Sequence, residues 1–276
     1  MSGLLLNVDW LGWKGWQWLF ILEGLPAVIL GIITYVLLTD RPRDAKWLTS
    51  AEREYLEGVL AEEARAKESI RKLTVGQALR TRNVWLLALG IFATNMGGYA
   101  LSFWMPTTVK NLSRGSDVSA LLYSGLVYAC GLVGVLYAGF LSDRTRNPKW
   151  TCIAGQCATG TFLALAAIPG QSFPMIMTWL VMTGLTSYSW PPPFWALPTL
   201  TLTHGAAAAS IGFINIFANL AGYGSNHLIG WIRDRGASES LCLFLLAGWY
   251  LFGGALISLV RVAPQTESAV LSSAAD

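Results

Sequence analysis

Three groups of side chains in this sequence are placed to do chemistry, and all three lie in apolar surroundings. Between Ala206 and Ile232, Gly212, Asn215, Asn219, Gly222 and Asn226 recur at spacings of three and four. That spacing puts them on one face of a helix, with Ile, Phe and Leu filling much of the rest. A second face, in the stretch opening at Val84, carries Asn95, Tyr99, Ser102 and Pro106, with Gly97 and Gly98 beside it. The two glycines loosen a helix there, so that it can bend over a site. The third group is Trp190-Pro-Pro-Pro-Phe-Trp195. Each proline lacks the backbone donor, so a helix must break or kink at that point. A break at membrane depth is tolerated where it lines a cavity, and it sets Trp195 or Trp190 where an indole N–H can bond a carboxylate.

These groups bind through hydrogen bonds; none is a nucleophile or a general base. The chain has no His-Glu-x-x-His, no Gly-x-Ser-x-Gly and no phosphate-binding loop, and its two histidines, His204 and His227, stand far apart. The four cysteines (Cys130, Cys152, Cys157, Cys242) sit in apolar stretches without metal-ligand spacing and read as packing residues. An enzyme is therefore excluded, and neither a cofactor nor a metal is expected. Amides inside a membrane are costly unless satisfied, so they either bond to a neighbouring helix or line a cavity where a polar solute supplies the partner. Asn215 and Asn219, near the middle of their stretch, are the stronger candidates to face a solute. Asn95 and Tyr99 face either a cavity or a neighbouring helix, with a place in the interfacial aromatic belt as a further option for the tyrosine.

The elements that must position these groups follow from composition. The 276 residues are 54% hydrophobic and 13% charged, and mean hydropathy is +0.48, far more apolar than a soluble domain of this size. No Asp, Glu, Lys or Arg occurs from Trp150 to Ile232. Seven windows can each cross about 30 Å of hydrocarbon as a helix of about 20 residues. They are Trp18 to Leu38, Val84 to Met105, Ser119 to Leu141, Thr151 to Pro169, Pro174 to Leu200, Ala206 to Ile232 and Leu241 to Val260. Glu23 is the only charged side chain within them. It lies in the first turns of its window, which favours a structural or interfacial role over proton carrying.

Lys and Arg set the orientation, because positive charge stays on the cytoplasmic side. With the segment after the first window inside, fourteen of the nineteen basic residues are inside and five outside: Lys14, Lys110, Arg114, Arg233 and Arg235. That segment holds Thr49 and Glu52 at capping-box spacing, opening an amphipathic helix to about Glu68. We read it as a solvated cytoplasmic linker. No signal peptide is visible at Met1 to Trp10, and the net charge of +3 reflects membrane topology rather than nucleic-acid binding.

Several motifs resemble the anion:cation symporter branch of the major facilitator superfamily, with its tartrate, phthalate and sugar-acid permeases. Gly15-Trp-Gln-Trp-Leu-Phe-Ile-Leu-Glu-Gly-Leu-Pro26, Asp40-Arg-Pro and Trp47-Leu-Thr are similar to that branch's sixth helix and central loop. Tyr99-Ala-Leu-Ser-Phe-Trp-Met-Pro106 resembles its seventh helix, Phe194-Trp-Ala-Leu-Pro198 its tenth, and Ile214-Asn-Ile-Phe-Ala-Asn-Leu-Ala-Gly222 its eleventh. After Gly222 the chain reads Tyr223-Gly-Ser-Asn226, without the family's Gly-Pro pair. Gly139-Phe-Leu-Ser-Asp-Arg-Thr-Arg146 matches the Gly-x-x-x-Asp-Arg gating motif. Asp143 and Arg144 can join helix ends by charge-assisted hydrogen bonds that break when the cytoplasmic side opens; the alternative is a plain positive anchor.

The resemblance implies an all-α membrane protein of about seven transmembrane helices: the family's C-terminal six-helix bundle plus the preceding helix. It implies the end of an N-terminal bundle over 1–39, a cytoplasmic linker over 40–83, the bundle over 84–260 and a cytoplasmic tail over 261–276. The implied function is symport of a small organic anion, coupled to H+ or Na+, across the inner (plasma) membrane, with the C-terminus cytoplasmic. The expected binding residues are Asn95, Tyr99, Trp195, Asn215 and Asn219, of which the resemblance supports Trp195 and Asn215 at matching family positions, and the implied gating residues are Gly139, Asp143 and Arg144. Family members carry twelve helices, so the resemblance also implies a missing N-terminal half, holding the cation and the coupling group absent from windows two to seven. An inactive or split half-transporter is the alternative. A seven-helix retinal protein is disfavoured, since Leu241 to Val260 has no lysine.

Overall fold

In a computed structural model of the chain, the described residues are 12–39, 41–68, 75–113, 117–201 and 204–262. They fall into two compact units, Met1–Ile70 and Arg71–Asp276, and every described element longer than a turn is helical. Most of the expected tail, 263–276, lies outside the described residues, as do 69–74 of the expected linker.

In the first unit, α1 (Gly15–Leu37) runs through Pro26 without interruption. Its apolar side chains are exposed along nearly the whole helix, as suits a surface met by lipid or by further protein rather than water. A 3-10 turn (Pro42–Asp44) leads to α2 (Ser50–Glu68). The Thr49 backbone N–H donates to Glu52 Oε2 at 2.9 Å and the Glu52 N–H donates to Thr49 Oγ1 at 3.3 Å, which is the reciprocal pattern of a capping box. The Thr49 N–H, together with the Thr49 hydroxyl that also donates to Glu52 Oε2 at 2.7 Å, holds the Glu52 carboxyl below the usual carboxylate range.

The second unit contains α3 (Val75–Leu79), α4 (Arg82–Ser113), α5 (Asp117–Thr145), α6 (Pro148–Ala166), α7 (Phe173–Ser187), α8 (Pro191–Thr201), α9 (His204–Asp234) and α10 (Glu239–Ser258). Neighbouring contacts run α9, α4, α10, α6, α7, α5 and back to α4, and α8 sits against α5, α6 and α9. The proline triplet does break the fifth window, yielding α7 and α8. The prolines themselves open α8, where missing N–H groups cost nothing because a first turn has no partners for them. By length and hydropathy, four described helices can cross a membrane singly: α1, α4, α5 from Ser119, and α10. The other three windows fall short as single spans, because α7 and α8 are short and because α6 and α9 interrupt their apolar run with Gly, Gln, Thr and Asn.

Lipid gives apolar helices no reason to associate, so close packing and polar bonds must hold the ring together. Glycine provides the close packing. A Cβ on Gly134 would overlap the Leu185 carbonyl, one on Gly184 the Val127 carbonyl, and one on Gly253 the Thr94 hydroxyl. Buried polar bonds add to it: Gln156 Nε2 donates to Thr94 Oγ1 at 3.0 Å between α6 and α4, and the Thr159 hydroxyl donates to Thr186 Oγ1 at 3.0 Å between α6 and α7.

The helix ends carry the charges. At one end, Arg233 donates to Glu239 (2.6 Å) and to Thr108 (2.7 Å), Asn111 donates to Glu239 (2.7 Å), and the guanidinium lies 4.6 Å from the Trp104 ring centroid. Arg233, counted from the sequence among the outside charges, thus serves to join α4, α9 and α10. At the other end, Lys149 donates to the Val260 carbonyl at 2.7 Å, and Asn83 exchanges two bonds with the Arg261 backbone.

Gly134→Ala is expected to lower the thermal stability of the detergent-solubilised chain by roughly 1–3 kcal/mol, as overpacking does. Gly125→Ala on the same helix, where a Cβ meets open space, should be neutral or stabilising by up to about 1 kcal/mol; equal melting shifts would refute the contact. The depressed Glu52 pKa makes a second prediction. Its contribution is present above the ordinary carboxylate value of 4.5 and fades as pH falls through the lower folded value. Helicity in α2 should therefore decline on acidification, and Glu52→Gln should flatten that part of the circular-dichroism titration.

Candidate functional site

A cavity of about 300 Å³ opens among α4, α5, α8, α9 and α10, near the low end of the range for small-molecule sites. From α4 it receives Asn95, Gly98, Tyr99 and Ser102; from α9, Asn215 and Ala218; from the helix break, Tyr188, Trp190 and Trp195. Tyr128 of α5 and Tyr250 of α10 complete the polar lining, and no lining residue is charged.

Four of the residues singled out from sequence therefore meet in one place: Asn95, Tyr99, Trp195 and Asn215. The Asn95 amide donates to the Ala218 carbonyl at 3.1 Å, so it joins α4 to α9 while lining the cavity. Tyr99 lies against Gly222, where a Cβ would sit 3.2 Å from its ring, and remains 41% exposed. Trp195 is 37% exposed and packs edge-on against the buried Phe194 at 5.4 Å. Asn219 is placed elsewhere: it is exposed, is absent from the lining, and donates to the Asn215 carbonyl (2.8 Å) and to Asn215 Oδ1 (3.1 Å). One helical face is wider than one cavity, and Asn219 occupies its outer edge.

Gly97 and Gly98 do not interrupt α4, which stays helical from Arg82 to Ser113. They make room instead. A Cβ on Gly97 would lie 2.7 Å from the Tyr250 ring, and one on Gly98 would lie 3.1 Å from the Tyr250 hydroxyl. Through that gap Tyr250, 2% exposed, reaches the cavity, which Trp190 also lines. Sequence reasoning missed Tyr250, Tyr128 and Tyr188. The glycine pair signalled that something large packs on α4, but nothing in the sequence says from which helix.

Gly139 lies near the end of α5, with open space where a Cβ would be. Asp143 and Arg144 are exposed in its last turn and make no ion pair or hydrogen bond among the described residues. In this structure the links between helix ends on that side are made by Lys149 and Asn83.

The family model of the Major Facilitator Superfamily matches residues 2–225. The chain is 34% identical over 273 residues to a protein of Agrobacterium vitis named "Putative tartrate transporter", covering 96% of the chain and 61% of that protein. It is 31% identical to the "Quinolone resistance transporter" of Acinetobacter baumannii (94% and 60% covered). It is 30% identical to the "Inner membrane transport protein RhmT" of Escherichia coli K12 (95% and 60% covered). The chain thus spans about 60% of the length of these curated relatives. Among solved structures, the proton:xylose symporter XylE superposes with a TM-score of 0.68 at 17% identity, covering 95% of this chain and 59% of that one, a likeness of fold. These relatives are membrane transporters rather than enzymes, and by sequence and fold this chain belongs to the Major Facilitator Superfamily.

Proposed function

We propose that this chain forms one wall of a secondary transporter for a small organic anion such as tartrate, phthalate or a sugar acid, by symport with H+ or Na+. The observation that carries the reading is the convergence of Asn95, Tyr99, Trp195 and Asn215 on one uncharged cavity. Amide, phenol and indole donors orient a carboxylate there, and Asn219 fixes the Asn215 side chain from behind through the 3.1 Å bond. The relative named for tartrate supports the substrate class.

A neutral wall cannot neutralise an anion, so a facing half supplies the cation and the coupling group; the length of the relatives beyond the matched region supports this division. The six windows from α4 to α10 form the second half, α1 belongs to the first, and α2 lies in a cytoplasmic connection, with the C-terminus on the same side. The whole resides in the inner membrane. Transport proceeds by rocking of the two halves about the cavity. Gly139, Asp143 and Arg144 act at the cytoplasmic end of α5, where Asp143 and Arg144 bond to a neighbouring helix end in the state closed on that side.

Vesicles holding this chain together with a first-half polypeptide are expected to accumulate labelled tartrate or another small organic acid, and vesicles holding the chain alone to accumulate none. Concentrative uptake by the chain alone would sink the two-half reading, and uptake indifferent to both proton and sodium gradients would sink symport. In the paired system, Asn215→Leu should lower kcat/KM on the order of tenfold to a hundredfold, the loss of one or two hydrogen bonds to a charged group. Unchanged uptake kinetics would remove Asn215 from the site.

A further inference from the structure

We infer that His227 forms an anion-capture site on the outer approach to this cavity, where the protonated ring attracts the carboxylate of an incoming solute. The inference rests on the organic-anion reading above and adds to it a second, shallower binding step. From Asn215 and Asn219 the exposed face of α9 continues at every fourth position through Tyr223 to His227, both exposed. The Tyr223 ring stacks on that of His227, with centroids 5.9 Å apart and planes 9° from parallel. At a rise of about 1.5 Å per residue, His227 stands about 18 Å from Asn215 along the axis. It lies toward the Asp234 end of α9, the outer end in the orientation proposed above.

An ionisable ring on the open face of a membrane span is costly against lipid, so this face meets water or protein. Histidine is the side chain that ordinarily changes charge between about pH 5 and 8. An aromatic face favours a cation laid on it, so the stack on Tyr223 suits the imidazolium. The same pairing recurs one step further round the helix, where the Arg235 guanidinium lies 3.5 Å from the Trp231 ring centroid. Two aromatic and cation pairs thus follow one another from the helix end toward Asn219 and Asn215.

The charges around His227 leave its own uncompensated. On α9, Arg233 pairs with Glu239 of α10 at 2.6 Å, and Asp234 and Arg235 are neighbours of opposite sign. Asp234 stands two turns beyond His227, about 10 Å along the axis, and makes no ion pair with it. Of the helices packed against α9, α3 and α8 carry no titratable group, α4 carries Arg82, Tyr99 and Lys110, and α10 carries Glu239, Cys242 and Tyr250. Arg82 is at the far end of α4, Tyr99 lies against Gly222, Cys242 and Tyr250 are buried, and Lys110 adds a further positive charge at the outer end. Among the described residues the one close partner of His227 is therefore the Tyr223 ring. A carboxylate of the solute or one of the facing half can meet the imidazolium. The line of Asn219 and Asn215 leading inward to the cavity favours the solute.

Vesicles holding this chain and a first-half polypeptide are loaded with unlabelled tartrate, gluconate or isophthalate, with the same pH inside and out. Exchange with the labelled acid is followed at about pH 6 and about pH 8, a range that spans the histidine titration and leaves carboxylates ionised. No gradient drives exchange, so KM reads the protein. In the unmodified chain KM should be about threefold to fivefold lower at the acid pH, the scale of one exposed ion pair, and added salt should shrink that advantage. H227Q should keep the higher KM at both pH values. H227K, charged throughout, should keep the lower one at both. An acid advantage undiminished in H227Q, or an H227K no better than H227Q at the alkaline pH, overturns the capture site and leaves the organic-anion reading standing. If H227Q does not assemble, H227K and the salt dependence of the unmodified chain decide, and an acid advantage indifferent to salt overturns the site. Absence of exchange of all three acids in the unmodified pair removes the organic-anion reading, and this site with it.

Discussion

The approach of α4 to α10 is the contact on which the rest of the bundle depends. Both helices are mostly apolar, and lipid would solvate that apolar surface as well as they solvate each other. They come together because Gly90, Gly97 and Gly253 let backbone and side chain meet where any Cβ would collide. Each such contact adds dispersion energy over a long seam, and the Gln156 to Thr94 bond closes it from α6. Charge finishes the packing only at the ends, where the Arg233 and Glu239 pair is largely buried and Lys149 bonds the Val260 carbonyl just past the end of α10. A cation at a helix C-terminus is favourable in its own right.

The same seam makes the cavity. Tyr250 crosses beneath Gly97 and Gly98 and is the residue by which α10 lines the cavity, opposite the break between α7 and α8. The break carries Tyr188 and Trp195. Packing on α4 and the shape of the cavity therefore meet in one phenol, although its ring is almost wholly buried.

Much of this was legible in the sequence, for physical reasons that differ by element. The proline triplet had to stop a helix, whatever its surroundings, and it did. The Thr49 and Glu52 capping box is a local pattern and formed as the spacing requires. The amide stripe of α9 located the polar face, but periodicity resolves a face and not a cavity; it could not separate Asn215, which lines the site, from Asn219, which braces it. Hidden altogether were contacts between distant parts of the chain. Gly97 and Gly98 read from sequence as a place where α4 can bend; the helix continues through them, and they make room for the ring at position 250. Arg233 looked like a surface charge because nothing nearby in sequence announces Thr108 or Trp104.

The absence of charge in the cavity bears on how a carrier of this kind can move its cargo. The polar groups described here belong to one packed bundle whose internal bonds hold them in fixed relation, so this wall contributes similarly to affinity in any orientation of the bundle. A ligand that binds two states equally shifts neither. If the cation that meets the anion is on a facing half, as proposed, the electrostatic part of binding depends on how the two halves meet, and occupancy then biases the rocking. A lysine or arginine inside this wall would hold the anion equally well in both states and oppose its release. A neutral, ring-lined wall opposite a charged one therefore suits a carrier better than a fully charged pocket would, because specificity resides in the rigid side and the coupling energy in the contact that changes.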